Sequence, residues 1–573
     1  MMGIPDRAAI YSAALAMAVV MTLSIEAGGQ TAATGARPNA SSALDQRVKP
    51  DPTTPRNVTI PLPKTESVPA STDTTGIVLS GVQITGVTVY SEAELAAIYE
   101  PYLGQQLPEA KIGEIVAAIT AKYRQDNYIL SHATAQPQDL DFGILYVDVI
   151  EGFIESVVFT GPPEARNELL LQFADKLKAS RPLTQAALER YVMLMSDLPG
   201  LNARPALRAL NATPGEENSG AHELVLQLRL DKFEGFASID NKSTRSTGRH
   251  VAQLNGNFNS LFGQYGRTAL YAYTVPDDNR ELLFLEGLQE FALNAEGTQV
   301  GIDGWHSVSE TGERDKPLDL DSYDTRVAIY ITHPILRQRD LSVFLTGTIE
   351  YRNTEETLAG VNNYDDRVRS IRLSARSFLV DDWDGENVLI ATASQGLDIL
   401  DASSNDAVNL SRTGGKINYA KFEAYYARYQ NLPGPWSAEL GLKGQLISDG
   451  ALSAEEFRAG GNNFGRAYDP SEISGDEGAA GYLELQRNLA AKNAFFRSTQ
   501  IYSFYDLAAA WNDDPVFGTS KVSIASAGIG MRSLLPNQVR LSLEIAKPLT
   551  EPVIAEGAQG DFLRFFFGLN VEF

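Results

Sequence analysis

The side chains that most often carry catalysis are few and scattered in this chain of 573 residues. It has no cysteine, which removes thiol nucleophiles, disulfides, Cys-ligated zinc and iron–sulfur clusters. The five histidines, His132, His222, His250, His306 and His333, stand apart and are never spaced as a metal pair. There is no H-E-x-x-H sequence and no nucleophile elbow. Gly414-Gly415-Lys416 lacks the upstream glycine of a phosphate-cradling loop and reads as a turn, while Asp513-Asp514 reads as a pair of solvated loop acids. These residues argue against an enzyme and imply neither cofactor nor metal. What remains is the chemistry of charge. The 48 basic and 72 acidic residues leave a net charge of −24, which disfavours nucleic acid as a partner because phosphates need a basic surface.

The two ends of the chain indicate the fold that must hold such charges. Arg7 precedes a mostly apolar run from Ala8 to Ile25, and small residues follow at Ala27, Gly28 and Gly29. This is the pattern of an export signal over residues 1–27, cut between Ala27 and Ala33. A retained anchor is the alternative, and the lack of a basic stop-transfer cluster favours the signal. Further on, no stretch approaches the length of a helical membrane span. An exported chain without helical spans is soluble or a β-barrel, since only helices and closed barrels satisfy every backbone group in lipid.

The C-terminus selects the barrel. Leu563, Phe565, Phe567, Leu569, Val571 and Phe573 alternate with Arg564, Phe566, Gly568, Asn570 and Glu572. One face is wholly apolar and the other largely polar, the period-two pattern of a membrane strand. From about Phe233 onward such runs recur, as in Gly266–Val275, Thr325–Thr332 and Ser342–Arg352, separated by polar stretches such as Glu310–Asp319 and Asp401–Ser411. At roughly 20 residues per strand and loop, residues 233–573 hold about 16 strands.

Between the ends, residues 28–75 read as a linker rich in proline, with Pro38, Pro50, Pro52, Pro55, Pro61, Pro63 and Pro69. One pattern then runs twice, over 76–151 and 152–232. The first copy predicts a strand Ile77–Val89, helices Glu92–Glu100 and Glu109–Gln125, and strands near Ile129–Ala135 and Gly143–Val149. Ile112, Ile115, Val116, Ile119 and Tyr123 share one face of the longer helix. The second copy predicts strand Ile154–Thr160, helices Ala165–Ala179 and Thr184–Leu198, and strands Ala203–Leu210 and Glu223–Leu230. Such duplication is itself an architectural signal. It resembles a pair of polypeptide-transport-associated (POTRA) domains. The expected fold is therefore two α+β POTRA domains followed by a transmembrane antiparallel β-barrel.

Within the barrel region, Gly444 to Gly478 reads GQLISDGALSAEEFRAGGNNFGRAYDPSEISGDEG. This stretch resembles the signature of two-partner secretion transporters, the haemolysin-activator and filamentous-haemagglutinin-transporter family. The family's Gly-Gln strand, Glu-Gln-Phe, Gly-Gly, Val-Arg-Gly-Tyr and Gly-Asp-x-Gly become Gly444-Gln445, Glu455-Glu456-Phe457, Gly460-Gly461, Gly465-Arg466-Ala467-Tyr468 and Gly475-Asp476-Glu477-Gly478. Glu484-Leu485 resembles the strand that follows. Gly465 and Ala467 depart from the pattern, and Ala467 would be strained wherever the family needs a positive φ. The family's partner motif, Phe-x-Asp, matches Phe504-Tyr505-Asp506. Side-chain alternation puts Phe504 and Asp506 on one face and turns Tyr505, Leu507, Ala509 and Trp511 towards lipid. Asp240-Asn241 and Asn259 to Gly263 resemble the family's first hairpin.

The resemblance implies an inward-folded loop around 457–480 whose Arg466 guanidinium is held in the lumen by the Asp506 carboxylate. It implies an outer-membrane protein with periplasmic POTRA domains that secretes a large exoprotein of adhesin or cytolysin type. Its implied partners are that exoprotein, outer-membrane lipid, and the barrel-assembly machinery, the last through a C-terminal signal ending on Phe573. The alternative is an assembly factor of the same superfamily; two POTRA units instead of several favour export.

Overall fold

The computed structural model describes residues 77–135, 142–210 and 220–573, apart from 264, 277, 279, 406, 463, 491–494 and 515–517. The expected export signal and linker lie outside the described residues.

Two α+β units precede a closed barrel. The first contains β1 (Gly81–Thr85), α1 (Glu92–Tyr99), α2 (Glu109–Gln125), β2 (His132–Thr134) and β3 (Ile144–Ile150). Its sheet runs β1-β3-β2, with β1 parallel to β3 and β2 antiparallel to it. Ile112, Ile115, Val116, Ile119 and Tyr123 are all buried, so the spacing in α2 marks its core face. The strand expected over Ile77–Val89 is broken. Ile77–Val78 pairs separately with Gln106–Leu107, and β1 stops before Gly86, whose φ is +77°. A Cβ there would lie 2.1 Å from the Val149 carbonyl oxygen, so only glycine lets the chain turn against β3.

The second unit comprises β4 (Phe153–Thr160), α3 (Glu168–Ala179), α4 (Gln185–Ser196), β5 (Leu201–Ala209) and β6 (Ala221–Leu230), with sheet order β4-β6-β5. The helix expected from Ala165 starts later. Pro163–Ala165 forms a 3-10 turn, and Asn167 caps α3 by accepting from the Leu170 amide at 3.1 Å. Thr184 caps α4 in the same way. Leu170, Phe173, Leu177, Leu188 and Val192 pack on Leu201, Leu224, Leu226 and Leu228.

The barrel strands are β7 (Phe233–Asp240), β8 (Val251–Asn259), β9 (Arg267–Thr274), β10 (Leu283–Ala292), β11 (Gln299–Glu310), β12 (Leu320–Arg337), β13 (Leu341–Leu358), β14 (Val361–Val380), β15 (Gly385–Gly396), β16 (Ala420–Asn431) and β17 (Trp436–Ile447). After a loop containing β18 (Phe457–Ala459) and β19 (Ile473–Gly475), the wall resumes with β20 (Glu477–Leu489), β21 (Ser498–Asp514), β22 (Gly518–Leu534), β23 (Val539–Pro548) and β24 (Arg564–Glu572). Wall strands pair antiparallel in chain order, giving 16, and β24 closes on β7 from Gly568↔Asp240 to Glu572↔Phe236. Asn241 extends that seam with its side-chain amide, which bonds the Phe565 carbonyl and the Phe567 amide. Asp513 and Asp514, expected in a loop, instead end β21, because the ladder to β22 continues through Asp514↔Gly518.

Alternation makes the wall two-faced. In β13, Glu350, Arg352, Thr354 and Glu356 are buried inward, whereas Ile349 and Tyr351 are exposed on the outside. The second unit docks on the barrel turns. Arg337 gives two hydrogen bonds to Asp197, at 2.7 and 2.8 Å, and Tyr265 donates its hydroxyl to the Ala165 carbonyl.

Candidate functional site in the barrel lumen

The segment between β17 and β20 folds into the lumen instead of away from the wall. A loop this long must find partners for its backbone polar groups inside the barrel. Gln445, inward on β17, supplies two: its amide donates to the Glu455 carbonyl at 2.8 Å and to the Asp476 carbonyl at 2.9 Å, so one side chain joins both stems. β18 and β19 pair as a hairpin, Phe457↔Gly475 to Ala459↔Ile473. The Phe457 ring rests on Gly478, where an added Cβ would stand 2.0 Å from the ring, so this contact requires glycine. Gly475 packs against the Trp511 backbone in β21. Asp476 accepts from the Ala451 amide at 2.7 Å and pairs with Arg412. Gly475, Asp476 and Gly478 therefore build the stem.

The tip is built by the other half of the motif. Gly460 donates its amide to the Phe464 carbonyl at 2.7 Å, and Gly461 donates to the Tyr468 carbonyl at 3.2 Å. Gly460, Gly461 and Gly465 have positive φ, at +117°, +81° and +94°, while Ala467 is not among the described residues with positive φ. The departure at 467 is thus unstrained.

Arg466 is 8 % exposed and Asp506 is 0 % exposed. Arg466 Nε lies 3.2 Å from both Asp506 carboxylate oxygens, Nη2 lies 2.9 Å from Oδ1, and the Arg466 backbone amide donates to Oδ2 at 2.8 Å. Ser526 on β22 donates to the same carboxylate at 3.2 Å. The remaining guanidinium nitrogen, Nη1, donates to Glu484 on β20, which also accepts from Arg532 at 2.7 Å and Gln486 at 2.9 Å. The Phe504 ring centre lies 3.6 Å from the guanidinium carbon, a cation–π contact. Phe504 and Asp506 thus do share an inward face, one giving the ring and the other the charge.

Neighbouring residues hold the tip too. The Tyr468 hydroxyl lies 2.9 Å from the Glu551 carbonyl and 3.2 Å from the Ala525 carbonyl. Arg564, inward on β24, donates to the Ala467 carbonyl at 2.8 Å and pairs with Asp469. Phe573 sits apart from this site, at the seam, where its backbone pairs with Gly235 and its ring stacks on Phe233 at 5.8 Å. Sequence reasoning missed Ser526, Arg532 and Arg564, and missed the role of Glu484. Their only signal is parity: each lies on the polar, inward face of its strand.

Two family models match the chain. One, described as POTRA domain, ShlB-type, covers residues 77–152, and the other, haemolysin secretion/activation protein ShlB/FhaC/HecB, covers 308–533. The heme/hemopexin transporter protein HuxB of Haemophilus influenzae strain 86-028NP is 20% identical over 469 residues, 80% of each chain. The outer membrane transporter CdiB of Escherichia coli is 24% identical over 307 residues, 51% of this chain and 49% of the relative. Among solved structures, CdiB from Escherichia coli superposes with a TM-score of 0.70 at 17% identity, covering 100% of both chains. CdiB from Acinetobacter baumannii gives 0.62 at 15% identity, over 90% of this chain and 95% of that one. The chain belongs to the two-partner secretion transporters, outer-membrane barrels of the haemolysin secretion/activation family with periplasmic POTRA domains.

Proposed function

We propose that the lumenal loop is a gate on the secretion path and that Arg466 is its latch. Residues 76–151 and 152–232 act as two POTRA domains that receive an extended segment of a large exoprotein of adhesin or cytolysin type. Strand addition to a sheet edge is the mode of capture, since it gains affinity from main-chain hydrogen bonds. Residues 233–573 supply the pore. The outward apolar face meets outer-membrane lipid, and the last strand, ending on Phe573, engages the barrel-assembly machinery.

The observation that carries this reading is the caging of one guanidinium by Asp506 and Glu484 at the tip of a loop folded into the lumen. A buried pair satisfied on every side holds one geometry, yet contributes modest net stability because desolvation offsets the attraction. That combination suits a part that must be held and then released. The Arg466→Ala variant should reach the outer membrane in normal amount and lose most export, on the order of tenfold, as about 1.4 kcal/mol of misplacement would cost. Secreted partner in the medium is compared with barrel in the outer membrane; unchanged export refutes the latch.

A further inference from the structure

The loop is tied at a second place with the charges reversed. Glu455, 1 % exposed, lies in the first stem. Its carboxylate accepts from Arg372 on β14 at 2.7 Å and from Lys421 on β16 at 2.6 Å. Arg372 also holds Glu350 on β13 at 2.7 Å, Glu350 holds Arg326 on β12, and Arg326 pairs with Asp303 on β11. One residue earlier, the Ala454 carbonyl accepts from Arg352 at 3.0 Å, and that guanidinium is itself fixed by two hydrogen bonds to Asp324. The stem thus rests on cations of β13, β14 and β16. The tip rests on anions of β20 and β21, beyond β17 along the wall, and on Arg564 of β24.

The two ties differ in what their release would leave behind. At the tip, Arg532 already shares Glu484, and its side chain is 44 % exposed, open to the lumen. When Arg466 departs, a cation stays on Glu484, and Asp506 keeps the Ser526 hydroxyl at 3.2 Å. At the stem, Glu455 is the carboxylate that touches both cations. Without it Arg372 keeps Glu350 and Lys421 keeps Glu423 at 3.2 Å, but the two like charges face one another in a buried site with no anion between them. We propose that Glu455 is the hinge pin of the loop, a positioning residue that keeps the stem fixed while the Arg466 tip swings. The inference rests on the reading of the loop as a gate, and it assigns the direction of opening: the tip leaves β20–β24, and the loop folds towards β13–β16.

The cysteine-free chain permits a direct test. Ser471→Cys reports on the tip and Ala451→Cys on the stem, both positions being buried. Each is read in intact outer membranes by the rate of labelling with a membrane-impermeant maleimide. In Arg466→Ala, tip labelling should rise about tenfold while stem labelling stays within about twofold of the parent. In Glu455→Gln both should rise about tenfold, and Glu455→Asp should restore stem protection to within about twofold. A protected stem in Glu455→Gln, or a stem freed together with the tip in Arg466→Ala, overturns the hinge. A tip that stays protected in Arg466→Ala instead sinks the latch, so the two failures are distinct. Should Glu455→Gln not insert, Lys421→Gln reads the same tie. About a threefold rise at the stem alone supports the hinge, and no change overturns it.

Discussion

The second α+β unit and the lumenal loop are both packed against barrel strands, but the loop carries buried charges that the core of the unit lacks. The unit is built on leucine, phenylalanine and methionine, with Leu170, Phe173, Leu177 and Met195 against the leucines of β5 and β6. The loop buries Phe457, Phe464, Tyr468 and Ile473 against the wall as well, but it sets Glu455, Arg466, Asp469, Glu472 and Asp476 among them, all buried. Apolar burial is non-directional and roughly proportional to area, so such a core gives way only when the whole unit opens. Ionic contacts are directional and nearly balanced by desolvation, so they define one position strongly and can exchange partners one at a time. On the gate proposed above, the contrast separates a part that keeps its shape from one that moves.

The largest expected effect is on the apolar side. Phe173→Ala empties a fully buried ring and should cost about 3–5 kcal/mol. Thermolysin digestion of the membrane-embedded protein in a urea series should show the unit cut at a much lower midpoint, with the barrel keeping its heat-modifiable mobility. A midpoint close to the parent would mean that the unit does not depend on that core, and the comparison would break.

A smaller effect is expected where the two chemistries meet, at the docking face. Arg337 is 0 % exposed, whereas its partner Asp197 has a side chain 19 % exposed. Asp197→Ala leaves a guanidinium without its carboxylate inside the interface and should cost about 2–4 kcal/mol. Arg337→Met keeps the length, and water can reach the freed carboxylate, so about 1 kcal/mol is expected. Spin labels on Leu171→Cys and Leu293→Cys, both exposed positions, should give a broadened distance distribution for the first variant and a near-parental one for the second. The reverse order would show that packing, not charge, sets the docking.

The same division decides how much of the molecule was legible. Elements defined by periodicity were readable: α2 runs Glu109–Gln125 as its repeat predicts, and the alternation in β24 turns Phe565 and Phe567 outward. Local conformations that depend on one residue were less so. The break after β1 comes from a single positive φ at Gly86, and the late start of α3 comes from the Asn167 cap. At the site, family spacing led to Arg466 and Asp506. The ion chain through Glu350, Arg372, Glu455 and Lys421 was not readable, because alternation tells which face a side chain takes but not its height in the barrel. Glu455 and Arg372 lie 83 positions apart, on elements whose relative height is set by the shear of the whole wall.

The smallest effects use a pair of tyrosines, one in each region. Tyr265 is buried at the docking face and donates to the Ala165 carbonyl; Tyr468 is buried at the loop tip, 2.9 Å from the Glu551 carbonyl. Replacement by phenylalanine removes one hydroxyl from each and leaves the ring in place, so each should cost about 1 kcal/mol. The cost should surface differently. Tyr265→Phe should lower the urea midpoint for digestion of the second unit and leave the tip reporter protected, since the bond it loses joins two parts that stay together. Tyr468→Phe should leave that midpoint unchanged and raise tip labelling about fivefold, since 1 kcal/mol acts there on a local opening instead of a global one. Equal responses of both readouts to both substitutions would mean that loop and unit open as one body, and the distinction between a held part and a moving part would fail.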